Sequence, residues 1–353
     1  MAYTTIDKPT DYFNTITYTG DNTDRSFTGV GFQPDWVWVK ARNNTTWHML
    51  FDAVRGAGVE KELHSNSTQA EGASDNVAYG YINSFDTDGF STIDGTSSSD
   101  ALNESGRTYV AWNWLAGGSA SSNSNGSITS SVSANTTAGF SIVSYTGTGS
   151  ASTVGHGLGA VPKMIIIKSR NTTSLWGVYH QAIGNTHGLF LNATNAATSL
   201  SAYWNNTSPT SSVFSVGSDA DINKSGDPLI AYCFAEKKGY SKFGSYDGNG
   251  NADGPFIHTG FKPAWLMIKG YAGTDDWIMM DNKRSGFNSE NEYLDANNNS
   301  TESDGSGNID FLSNGFKIKS TFSSLNYSTG EYIYMAFAES PFVNSNGVPT
   351  NAR

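Results

Sequence analysis

The sequence predicts an all-β chain built from three tandem homologous β-sandwich units. Three observations carry that prediction. Short apolar runs alternate with Asn-Gly, Asp-Gly and Ser-Gly turn pairs at roughly 8–12-residue spacing, the rhythm of sandwich and jelly-roll strands. No stretch places apolar residues at the i, i+3, i+4, i+7 positions of an amphipathic helix. A co-linear set of features also occurs three times, and such self-similarity marks repeated structural units.

The repeated features follow a fixed order. A Tyr-containing turn opens each unit, at Tyr18-Thr19-Gly20, Tyr145-Thr146-Gly147 and Tyr246-Asp247-Gly248. Next come Gly31, Gly159 and Gly260, each three residues before Pro34, Pro162 or Pro263. Pro and Gly end a loop, so the runs behind them, Trp36-Val37-Trp38-Val39, Met164-Ile165-Ile166-Ile167 and Leu266-Met267-Ile268, read as strands. Trp36, Ile165 and Trp265 are expected on equivalent strands. Lys40, Lys168 and Lys269 close those runs and are expected where a strand leaves the core, stems packed and heads in water. Trp47, Trp176 and Trp277 follow as core plugs or as sugar-stacking platforms, since an aromatic face beside Asn and Asp suits a carbohydrate. Each unit ends on a turn Asn, Asn103, Asn223 or Asn326, with Trp114, Phe234 or Phe337 eleven residues later on a closing strand. Asn in such turns tolerates left-handed geometry and bonds its own backbone.

These features place jelly-roll or lectin-like units at 1–117, 126–237 and 238–342. Residues 118–125 read as a flexible Gly/Ser/Asn linker, whereas Glu236-Lys237-Lys238-Gly239 leaves almost no spacer. The second and third units are therefore expected to pack closely and the first to be hinged. Residues 343–353 form a C-terminal tail without a strand pattern, to be held by a neighbouring unit or another chain.

Composition bounds the function. Of 353 residues 13% are aromatic and only 15% charged, so a large core is available and disorder is excluded for most of the length. A net charge of −11 argues against a nucleic-acid partner. The single cysteine, Cys233, excludes an intramolecular disulfide framework and a Cys-based zinc site. Ser, Thr, Asn and Gly as polar filler suit an extracellular or virion surface. No secretory leader and no run of about 18 apolar residues is seen, so neither export by a signal nor membrane insertion is expected.

Chemistry finds few candidates. Glu60 with Glu62, and Asp275 with Asp276, are the carboxylate pairs that glycoside hydrolysis would need, yet neither recurs across units. Asp52 and Asp281 do match, but the second unit carries His180 there, which reads as structural. No nucleophile elbow, His-Glu-x-x-His pair or phosphate-binding glycine pattern occurs. Asp247 to Gly254 alternates oxygen donors like the start of a calcium loop, but Ala252 and His258 stand where its Gly and closing Glu belong, so a hairpin turn is the reading. No catalytic residue, metal or cofactor is expected. For ligand binding, positions that diverge among units are free of the fold's demands. Tyr203, Trp204 and Asn205 are the first choice for an exposed binding surface, with Trp47 and Trp277 beside them.

The run from Gly139 to Gly149, with Gly155-His156-Gly157-Leu158-Gly159 and Pro162-Lys163-Met164-Ile165-Ile166-Ile167-Lys168, resembles a repeat of tailed-phage virion proteins, especially marine ones. Phe85-Asp86-Thr87-Asp88-Gly89-Phe90, Ala231-Tyr232-Cys233-Phe234-Ala235-Glu236 and Leu312-Ser313-Asn314-Gly315-Phe316 carry the same resemblance, which covers nearly the whole chain. It implies a non-enzymatic structural, tail-fibre or lectin-like protein of the virion surface. Its partners would be other virion proteins of a tail or head scaffold, a host surface glycan, and further copies of itself. Repeats that begin almost at Met1, without coiled-coil heptads, point to an accessory piece docked on such a scaffold. A head decoration or head fibre, and a surface-glycan depolymerase, are the alternatives.

Overall fold

The computed structural model describes residues 3–74, 76–98, 100–305 and 307–350. The first segment contributes β1 (Phe13–Thr19), β2 (Arg25–Phe27), β3 (Trp36–Ala41), β4 (Met49–Asp52), the one-turn helix α1 (Asn76–Tyr79), β5 (Tyr81–Asp86), β6 (Gly89–Ile93) and β7 (Thr108–Trp114). The second begins with β8 (Ser121–Asn123), β9 (Ser130–Asn135), β10 (Phe140–Thr146), β11 (Ser152–Gly155), β12 (Met164–Ser169), β13 (Gly177–His180), β14 (His187–Phe190) and β15 (Thr198–Ser199). It continues through α2 (Ser201–Trp204), β16 (Val213–Val216), α3 (Ala220–Asn223) and β17 (Pro228–Phe234). The third holds β18 (Ser241–Asp247), β19 (Phe256–His258), β20 (Phe261–Gly270), β21 (Trp277–Asp281), β22 (Leu294–Asp295), β23 (Ile309–Leu312), β24 (Gly315–Ile318), α4 (Ser323–Asn326) and β25 (Glu331–Pro341). The all-β expectation is met.

One strand order recurs in the large sheets. It is β1-β7-β3-β4 in the first, β10-β17-β12-β13 within the eight-stranded second, and β18-β25-β20-β21 in the third. Register recurs too: Trp36 faces Trp114, Met164 faces Phe234, and Trp265 faces Phe337. The three closing aromatics are buried, as their spacing from the turn Asn predicts. Ile165 lies on the expected strand but one residue out of step, so it faces the opposite side from Trp36 and Trp265.

A smaller sheet covers one face of each large one: β2-β6-β5, β11-β16 and β19-β24-β23. Phe27, Ile82 and Phe90 pack on Val37 and Val39; Val154, Phe214 and Val216 on Ile165 and Ile167; Ile257, Phe316 and Ile318 on Leu266 and Ile268. The other faces of all three large sheets meet in a single apolar core. There Trp36 stacks on Tyr232 at 4.4 Å, Trp114 meets Trp265 edge-on at 5.5 Å, and Phe234 meets Phe337 at 6.1 Å. This two-sided burial explains why the runs after Pro34 and Pro162 are continuously apolar, whereas β1, at the edge of its sheet, is fully buried only at Phe13 and Thr15.

Two expectations are corrected by this packing. The first segment is not hinged, because Trp36 and Trp114 are embedded against the second and third. The stretch 118–125 is not a plain flexible linker, because β8 within it pairs with β9 at the edge of the second sheet. The C-terminal residues as far as Thr350 fold onto their own chain: Phe342 N–H donates to Gly260 O, Thr350 N–H to Phe342 O, and Ser345 N–H to Asp7, while residues 351–353 of the expected tail lie outside the described residues.

Hydrogen bonds close the three segments into a ring. Trp176 Nε1 donates to His64 O at 2.9 Å and Trp277 Nε1 donates to Phe190 O at 2.9 Å. The matching residue in the first segment is His48, whose Nδ1 accepts from Trp38 Nε1 at 2.8 Å. That acceptance leaves Nε2–H to donate to Asp295 O at 3.0 Å. Second thus binds first, first binds third, and third binds second.

Candidate functional site

The recurrent polar residues belong to the scaffold. Lys40, Lys168 and Lys269 are fully buried, which corrects the expectation of solvated heads. Lys40 Nζ donates to Ala41 O and Asn44 O, Lys168 Nζ to Ser174 Oγ and Thr68 O, and Lys269 Nζ to Asp275 O, Gly270 O and Thr194 O. Thr68 and Thr194 come from the neighbouring segment, so two of these lysines also bridge segments. Burial pulls Lys40 down to about 7 and Lys168 and Lys269 down to about 8, against partial compensation by nearby carboxylates.

Asn103, Asn223 and Asn326 are buried clamps, and none has a left-handed backbone. Asn223 Nδ2 donates to Ser150 O and Gly217 O while its Oδ1 accepts from Thr148 N–H. Asn326 does the same with Asn251 O, Ser320 O and Asn249 N–H. The Tyr turn that opens each segment is thereby tied to the segment's end. In the stretch proposed to resemble a calcium loop, Asn249 and Asn251 serve this clamp, and Asp253 pairs with Lys317 at 2.8 Å.

The carboxylate candidates do not converge as pairs. Glu62 is buried and accepts from Ser74 N–H and Oγ, while Glu60 is exposed with a left-handed φ of 61°. Asp276 is bonded to Asn297 at 2.7 Å. Asp52 and Asp281 are sealed in ion pairs with Arg55 and Arg284.

Of the expected binding aromatics, most lie inside. Trp204 is 1% exposed, donates Nε1–H to His187 O at 3.1 Å and packs edge-on against Tyr179. Tyr203 is 2% exposed and donates to Asp221 at 2.6 Å. Helix α2 lays both rings on the second segment's core, which corrects the expectation of an exposed pair there; Asn205, next in the chain, is exposed. Trp277 is 1% exposed and committed to Phe190. Trp47 differs. The strand pairing aligns His48, not Trp47, with Trp176 and Trp277, because Val39 pairs with Met49 as Ile167 pairs with Gly177 and Ile268 with Ile278. Spacing counted from Lys40 alone could have shown this, since the two other tryptophans follow their lysines by eight residues and Trp47 by seven.

Trp47 lines a cavity of about 280 Å³ on the first segment. The β3–β4 loop supplies Asn44, Thr45, Thr46 and Trp47, and the chain around α1 supplies Ser74 and Tyr79. Behind Trp47 stands buried His64, ring centroids 4.8 Å apart. His64 is 3.1 Å from Ser74 Oγ through Nε2 and 2.8 Å from His48 O through Nδ1. Burial lowers His64 to about 4, so it is neutral at pH 7. The wall is thus two aromatic rings, the apolar Met49 and Ala101, an amide and hydroxyls, with no charged side chain among the lining residues. Such a set can stack on a flat apolar face and exchange hydrogen bonds with neutral polar groups. Among the described residues no cluster of His, Cys, Asp and Glu is arranged to hold a metal ion, and no helix is long and apolar enough to cross a membrane.

A family model described as a domain of unknown function, DUF7483, matches residues 8–341, and the chain belongs to that family. The match takes in all three segments together. No curated protein and no solved structure matches the chain.

Proposed function

We propose that the chain is a non-enzymatic structural protein of a tailed-phage virion, a surface appendage associated with the tail that aids host adhesion. In this reading its segments are tandem homologous β-sandwich units, fused so that one chain builds what three subunits of a trimer would build. The observation that supports it best is the shared aromatic core closed by hydrogen bonds running around the ring of segments. A body locked in that way is a rigid platform for loops that touch a scaffold or a host surface. The conserved strand order and register of the large sheets support the repeat reading, and Asp52 and Asp281 are engaged in holding segments together rather than poised over a cavity. The partners would be proteins of the tail or head scaffold.

Antibody raised against the purified chain, applied to virions under negative stain, tests the proposal. Label on the tail is the expected result. Label on the head would put a head decoration or head fibre in its place, and unlabelled virions would end both. Release of new reducing ends from host envelope glycans would replace adhesion by depolymerisation.

A further inference from the structure

Eight of the nine tryptophans are buried, and Trp47 alone is only partly so. The fold does not require it there, because His48 performs the bridging role that Trp176 and Trp277 perform elsewhere. At the position of Trp47 the other segments carry Leu175 and Asp276. A second observation points the same way. Thr46 is 7% exposed and lines the cavity, yet its Oγ1 is buried without a hydrogen-bond partner. At the matching position of the second segment, Ser174 Oγ accepts from Lys168 Nζ at 2.7 Å, whereas Lys40 turns to the carbonyls of Ala41 and Asn44 and leaves the Thr46 hydroxyl unused. Buried hydroxyls are nearly always satisfied, so one lacking a partner beside a cavity is a place for a ligand's polar group.

We propose that this cavity binds the ring of a neutral sugar, stacked on Trp47 and Tyr79 and hydrogen-bonded by Thr46 and Asn44. The choice of ligand follows from the wall. Aromatic faces match the C–H faces of a pyranose, the amide and hydroxyls match its hydroxyls, and no lining cation is present to hold a carboxylate, sulfate or phosphate. The net charge of −11 also disfavours anionic glycans. The proposal rests on the adhesion reading only for the source of the sugar, a host surface glycan.

The purified chain is titrated with glucose, galactose, N-acetylglucosamine and their short oligomers, with sialic acid and heparin fragments as anionic controls. Trp47 is the reporter, because N-bromosuccinimide oxidises the accessible indole first. A neutral sugar is expected to bind saturably and protect Trp47. Trp47→Ala should weaken binding by at least about tenfold, and Thr46→Val by a few fold. Native far-UV dichroism and melting of both variants are checked alongside, and Thr46→Val decides if Trp47→Ala does not fold. Failure of every neutral sugar to protect Trp47, preferential binding of the anionic controls, or unchanged affinity in a folded variant would overturn the proposal. These outcomes are independent of virion labelling, so each reading can fail without the other.

Discussion

Tyr232 donates its hydroxyl to Asp52 at 2.7 Å, joining the second segment to the first inside the shared core. Trp112 makes the corresponding bond from the first segment to the third, donating Nε1–H to Asp281 at 3.0 Å. Register places Trp112, Tyr232 and Met335 at one position and Asp52, His180 and Asp281 at another. Met335 cannot donate, and the residue it would serve is His180 instead of an acid. Arg55 and Arg284, three residues after the acids, are replaced there by Ile183. A carboxylate buried without donor or cation costs several kcal/mol, and the three exchanges together avoid that cost. His180 instead accepts from Ala182 N–H through Nδ1 and donates from Nε2 to Tyr334 O at 3.3 Å.

His180→Asp should therefore place an unpaired carboxylate in the core and lower stability by about 3–5 kcal/mol at pH 7. The loss should shrink in acid, where the new group is protonated. Denaturant unfolding at both pH values measures it, and a variant as stable as the wild type would contradict the pairing described above.

Trp114 touches Trp36 at 4.5 Å, Phe13 at 4.9 Å, Trp265 at 5.5 Å and Phe337 at 5.8 Å, so its ring belongs to two segments at once. Trp114→Ala should cost about 3–5 kcal/mol. Because the core is shared, calorimetry should show one transition that moves as a whole. Separate melting of a first segment would disprove the shared core.

The individual strands were legible because Pro, turn glycines and β-branched runs act locally. Burial of Trp114, Phe234 and Phe337 followed from repetition alone. What the sequence hid was everything that depends on a second segment. A lysine after an apolar run reads as an edge residue, and only the carbonyls of Thr68 and Thr194, distant in sequence, reveal a buried seat. Trp204 illustrates a different failure. Divergence among repeats reads as freedom from the fold, yet α2 is an element of the second segment with its own packing on Tyr179. Trp47 precedes by one residue the position that Trp176 and Trp277 share, and the strand register that shows this becomes visible only once β3 and β4 are paired.

Gly20, Gly147 and Gly248 close the opening turns against the clamp asparagines. An added Cβ would lie 2.1 Å from Glu104 O, 2.2 Å from Lys224 O and 2.2 Å from Tyr327 O, all backbone atoms that cannot swing aside. Gly147→Ala should destabilise by about 1–3 kcal/mol through displacement of that backbone and loss of the Asn223 bonds. Equal stability of wild type and variant in urea would show that the turn is free to move.

The last expectation is a pH profile whose sign can be worked out. Lys40, Lys168 and Lys269 are held at about 7, 8 and 8 by burial, below their ordinary 10.5. Between those values the unfolded chain carries more protons than the folded one, so stability rises with pH from about 7 to 10.5, by at most about 1.4 kcal/mol per pH unit for each lysine. Above 10 the rise ends, because Tyr145, Tyr232 and Tyr246 are pushed well above the ordinary phenol value by burial and ionise only on unfolding. On the acid side burial holds His64 and His180 at about 4, below the ordinary 6.5. The unfolded chain again binds the extra protons, so their contribution is complete above pH 6.5 and is lost as pH falls toward 4. Melting temperature should accordingly climb from pH 7 to about 10 and then turn over. Below pH 7 the rise given by the histidines is opposed by Glu290 and Asp295, which burial raises to about 7 and about 6. Lys40→Met should flatten the climb above pH 7 while leaving the acid limb, and His180→Gln should flatten the acid limb alone. A profile that falls between pH 7 and 9 would mean that the lysine heads reach water after all.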